Sequence, residues 1–71
     1  MIADNDYETI QEYTDDNNIA YTLFITRGKY KIRQTDLDSG NVIAILELPS
    51  EASDEACYKA KKYFMKLISL L

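Results

Sequence analysis

The 71-residue sequence predicts an α+β domain: an antiparallel three- or four-stranded β-meander with one C-terminal amphipathic helix packed on one face (β-β-β-β-α, with α-β-β-β-α as the alternative). Three observations predict it. A run free of glycine and proline, from Glu51 to Leu70, carries apolar residues at helical spacing. Upstream of it the period changes to two, in segments rich in tyrosine, threonine and β-branched residues. Clusters of Asp, Asn, Ser and Gly separate those segments, as tight turns require.

The first element is the most ambiguous. Tyr7, Ile10 and Tyr13 or Thr14 would line one side of a short helix. Tyr7 to Thr14 also reads as a strand, joined through Asp15-Asp16-Asn17-Asn18 to the next segment. The strand is favoured, because Tyr and Thr suit it and a turn-forming tetrad follows at once. Ile19 to Thr26 is a second strand. Lys29 to Thr35 is a third, strictly alternating, with Tyr30 and Ile32 on one side and Lys29, Lys31 and Arg33 on the other. Arg27-Gly28 between them fits a two-residue hairpin turn. Pairing across it puts Tyr21, Leu23 and Ile25 on the same face as Tyr30 and Ile32, and this face should receive the helix. Asp36 to Asn41 is a further turn. Val42 to Leu48 follows as a strand apolar enough to be central or covered on both faces.

Pro49-Ser50 marks the entrance to the helix, with Ser50 or Ser53 as the N-cap. Its stripe is Ala56, Cys57, Ala60, Phe64, Leu67, Ile68 and Leu71. Glu51, Asp54 and Glu55 lie early, and Lys59, Lys61, Lys62 and Lys66 lie late, which complements the helix dipole.

Length and composition bound the function. Residues 1–71 make a single domain whose core is thin, so self-association is a reasonable expectation. With 46% hydrophobic residues, six tyrosines, two glycines and one proline, the chain is not a disordered tail. Met1-Ile2-Ala3-Asp4 does not resemble a secretory leader, and the longest apolar run, Val42 to Leu46, is far short of a membrane span. A cytoplasmic protein is expected. Cys57 is the sole cysteine and there is no histidine, so no intramolecular disulfide or thiolate–imidazole metal site is expected. Cys57 reads as a small buried hydrophobe, with Lys59 and Lys61 off its helical face.

Charge is segregated along the chain. Residues 1–26 hold six acids (Asp4, Asp6, Glu8, Glu12, Asp15, Asp16) and no base; residues 27–33 hold four bases (Arg27, Lys29, Lys31, Arg33) and no acid. Residues 34–55 hold six acids and no base, residues 56–71 four lysines and no acid, for a net charge of −4. One reading is a basic stripe beside Phe24 on the open sheet face, able to meet phosphates or an acidic surface. The other is a solvated strand face whose bases deter aggregation.

Asp36-Leu37-Asp38-Ser39-Gly40-Asn41 to Glu47 resembles the twelve-residue calcium loop of the EF-hand family, with carboxylates at its first, third and twelfth positions and Ile43 at its eighth. It departs from that pattern where Asn41 replaces the sixth-position glycine and Gly40 offers no side-chain ligand. Its flanks are strand-like rather than helical, so a metal-free turn is expected. The α-β-β-β-α alternative is similar in outline to a double-stranded-RNA-binding domain. That family grips phosphate with lysines where this chain has Ser50-Glu51-Ala52-Ser53-Asp54-Glu55, so the outline implies no function.

No cofactor and no catalytic residue is expected: histidine, phosphate-binding glycine loops and nucleophile elbows are all missing from the sequence. The expected function is a small non-catalytic protein–protein interaction module, an inhibitor or adaptor with acidic contact surfaces at Asp15, Asp16, Asp36 and Asp38. A nucleic-acid binder using Arg27, Lys29, Lys31 and Arg33, with Phe24 as a stacking surface, is the alternative. A homo-oligomeric structural component is the third.

Overall fold

A computed structural model describes residues 7–71, so Asp4 and Asp6 of the first acidic block, and the leader reading of residues 1–4, lie outside the described residues. Among the described residues, the elements are β1 (Tyr7–Thr14), β2 (Ile19–Thr26), β3 (Lys29–Asp36), β4 (Asn41–Glu51) and α1 (Asp54–Ser69). The strands form an antiparallel sheet in the order β1-β2-β3-β4, the meander predicted, with the N-terminal segment a strand.

Local chemistry sets the connections. Arg27 and Gly28 both have positive φ (54° and 77°), the mirror-image turn whose twist matches that of the flanking strands. The resulting register pairs Ile25 with Tyr30 and Leu23 with Ile32. In the β1–β2 turn Asn18 takes φ 64°, which asparagine tolerates better than most side chains. Ser53, not Ser50, caps the helix: its hydroxyl accepts the Ala56 N–H at 3.0 Å.

One face of the sheet carries the core. Leu23, Tyr30 and Ile32 bury against Ala56, Ala60 and Phe64 of α1, with Ile10, Tyr21, Ile25, Leu48, Cys57, Leu67 and Ile68 packed around them. Ala56 and Ala60 leave room for the helix to lie close over β2 and β3. A helix is about 10 Å across and strands are about 4.8 Å apart, so α1, which approaches β2, β3 and β4, leaves the four-stranded sheet incompletely covered.

The two outer strands meet that shortfall differently. β1 is mostly polar where it passes the helix side, with Glu8 opposite Ile25 and Gln11 opposite Leu23, while Ile10, at a bulge, packs against the core. β4 is not polar there. Its expected place as a central, covered strand is corrected: β4 is an edge, and Val42, Ile43, Ile45 and Leu46 are each roughly half exposed (44–56%). It also runs on through Pro49 and Ser50 to Glu51 instead of ending before them. An edge strand tolerates proline, whose missing N–H costs no ladder bond on its open side.

Leu23 is fully buried at the centre of the core (0% exposed). Leu23→Ala should destabilise the fold by about 2–5 kcal/mol in denaturant unfolding. Removing the cap with Ser53→Ala should cost about 1 kcal/mol. A loss below about 1 kcal/mol at Leu23 would contradict the core assignment.

Candidate protein interface along the outer strand

The predicted acidic contacts come together at one end of the sheet, where they build turns. Asp15 Oδ1 accepts the N–H groups of Asn17 (2.9 Å) and Ile19 (3.0 Å), and its Oδ2 accepts the Tyr21 hydroxyl (3.2 Å). Asp36 accepts the Asp38 N–H at 3.0 Å, and Asp38 accepts the Asn18 side-chain amide at 2.8 Å. The Leu37 N–H to the Asn18 carbonyl (3.1 Å) completes a latch between the two loops. Asp15 and Asp36 therefore shape backbone, Asp38 ties one loop to the other through the Asn18 side chain, and Asp16 is the exposed one that makes none of these bonds.

These hydrogen bonds also account for the calcium-loop resemblance. Asp36 caps the turn and Asp38 accepts from the Asn18 side chain, whereas Glu47 lies six residues beyond Asn41 along β4, roughly 20 Å away at strand rise. It pairs there with Lys31, Nζ to Oε1 3.8 Å.

The basic strand is assembled on the face away from the helix. Register sets Lys31 beside Phe24 and Glu47, Arg33 beside Thr22 and Ile45, and Lys29 beside Thr26 and Glu51. The bases segregated in sequence thus stand next to acids of β4. Phe24 is 5% exposed, with the Arg33 guanidinium 5.1 Å from its ring centroid. The stacking surface expected of Phe24 is corrected accordingly, because a buried ring cannot offer its face to a base. Lysine and arginine stems instead roof Phe24 and Thr22 on the face opposite α1. Arg27 sits exposed in the hairpin turn.

Cys57 is half-buried. Lys61 shares its face after all, four residues on, and the two line a cleft with Glu8, Ile10, Ile25 and Tyr30. Among the described residues, no three Cys, Asp or Glu side chains are placed to hold a metal ion. No helix among them is long and apolar enough to cross a membrane.

The feature that sequence reasoning missed is the side of the molecule at β4. Between α1 and β4 the uncovered helix-side surface opens into two apolar grooves. One, of about 350 Å³, is bordered by Tyr30, Leu46, Leu48, Ala56 and Tyr63. The other, of about 450 Å³, is bordered by Ile32, Ala44, Leu46, Leu67, Ile68 and Leu71. They share Leu46 and form one trough beside the strand. Leu71, read as the last residue of the buried stripe, is 63% exposed at its end. The signal was present in the sequence as the uncharged run Asn41 to Leu46, which suits a covered strand and a bare edge equally well.

No family model matches the chain, and no curated protein or solved structure is significantly similar to it.

Two tyrosines tie the fold to pH. Burial pushes the Tyr21 phenol above its ordinary value of 10.0, and the neighbouring Asp15 carboxylate adds to the rise. Burial also raises Tyr30, with the neighbouring Cys57 thiol next in weight. A raised phenol contributes its full stability below the unfolded value of 10.0 and loses it as pH climbs through the folded one. The denaturant midpoint should therefore be insensitive to these groups at neutral pH and fall above about pH 10. Tyr21→Phe should make that fall shallower, and an unchanged slope would contradict the assignment.

Proposed function

We propose that this chain is a non-catalytic protein-interaction module, an inhibitor or adaptor in type, that binds through β4 and the trough beside it. The observation that carries this reading is the uncovered edge, which exposes Val42, Ile43, Ile45 and Leu46 next to an apolar groove. Contiguous apolar surface of this kind marks contact sites on small proteins. An open strand edge offers unpaired N–H and C=O groups as a template for another chain. The acidic end is the less suited surface, since its carboxylates are engaged in their own turns.

The basic strand supports the nucleic-acid reading less well. Lys31 is paired with Glu47, Phe24 is buried, and the net charge of −4 repels a polyanion. An amide-correlation titration with mixed oligonucleotides at low salt should leave residues 24–33 unshifted.

A photo-crosslinking residue placed at Ile45 should capture a protein partner, whereas the same residue at Asp16 or at Thr14 on β1 should not. Adducts formed only at Asp16 would transfer the contact surface to the acidic end and end this reading.

A further inference from the structure

We propose that the partner at β4 is a second copy of this chain, joined edge to edge by antiparallel pairing of the two β4 strands. The pairing rests on the β4 side being the contact surface. A two-fold axis perpendicular to the sheet generates it, and such an axis keeps both helices on the same face of a continuous eight-stranded sheet.

The two edges of the sheet argue for β4. Natural edges are guarded by charge, proline or bulges. β1 has Glu8 and Glu12 along its length and a bulge at Ile10. β4 is guarded only towards its end, by Glu47, Pro49 and Glu51, while Asn41 to Leu46 carries no charge. The register shift at Ile43 leaves Ala44 to Glu47 as the regular part of its ladder with β3, which places the two-fold near residues 44–46.

Like charges stay apart in a copy at that position. With the axis at Ala44, Ile45 or Leu46, Glu47 falls opposite Asn41, Ile43 or Ile45 of the copy, never opposite its own counterpart. The apolar residues meet each other, and Ile45 of the two copies come together on the face away from the helices. On the helix side the same axis brings the two troughs into one. Ala44 is small enough to let Leu67, Ile68 and Leu71 of both copies close over the join.

The size is appropriate. Pairing about a two-fold at Ile45 joins residues 41–49 of each copy, about 30 Å of strand. With a helix about 10 Å across stacked on the sheet, the paired β4 side offers an area on the order of 600 Å². A standard interface takes about 800 Å² from each partner, roughly a sixth of the 5044 Å² this chain exposes.

Sedimentation equilibrium across about 5–500 µM would test the proposal, since a dimer populates by mass action. The expected result is a mass rising from 8.2 kDa to twice that value. Ile45→Lys should weaken association at least about tenfold with an unchanged circular dichroism spectrum, whereas Thr14→Lys on β1 should leave it intact. Because Ile45→Lys could also perturb folding, amide hydrogen exchange on the unmodified chain is the second readout. The amides of residues 42–46 should become more protected as concentration rises. A mass of 8.2 kDa throughout, or a dimer that Ile45→Lys leaves intact and Thr14→Lys breaks, would overturn the proposal. The two readings fail separately: a strict monomer that still crosslinks a foreign protein at Ile45 loses the copy and keeps the surface, whereas no adduct at Ile45 loses both.

Discussion

The rest of this structure depends on a mismatch of widths. α1 packs its alanine-lined face on β2 and β3 and also approaches β4, while a single helix is only about two strands wide. The described sheet has four. Whatever apolar surface the outer strands present towards the helix side must be made polar, covered from elsewhere or left open. β1 takes the first course with Glu8 and Gln11, and β4, with Ala44, Leu46 and Leu48, does not. The trough follows directly from that difference.

The same shortage of cover explains the other face. With no second layer among the described residues, Phe24 and Thr22 would be wet, yet they are 5% and 4% exposed. Arg33 lies over the Phe24 ring, and Lys31 stands alongside and reaches Glu47. A block of bases that looks like a phosphate-reading stripe along the chain becomes a lid of aliphatic stems with its charge partly answered by β4. Exposed pairs of this kind contribute little to stability by themselves; their consequence here is for the electrostatic surface.

The loops show a third use of the same residues. Asp15, Asp36, Asp38 and Asn18 hold two neighbouring turns in a shared hydrogen-bond network. This fixes the end of the sheet at which β4 begins, and with it the register of the edge. Carboxylates that cap backbone amides are already engaged, so the acidic end is a rigid terminus of the meander more than a docking patch.

What the sequence by itself determined is the set of elements and the face they share. Period-two runs, the Arg27-Gly28 turn and the glycine-free amphipathic stretch specified strands, hairpin register and helix, because each depends on residues close together in the chain. The pairing of Leu23 with Ile32 and the Ala56, Ala60, Phe64 stripe were legible for that reason. Tertiary structure alone decided which strand became the open edge. Asn41 to Leu46 is apolar whether it lies between neighbours or beside none, and local pattern carries no information on neighbours. Tertiary structure also decided the partners of the charges. Lys31 meets Glu47, sixteen residues away, only once β3 and β4 lie side by side. The distinction is physical: periodicity is a property of one segment, whereas exposure and electrostatic pairing are properties of the space between segments.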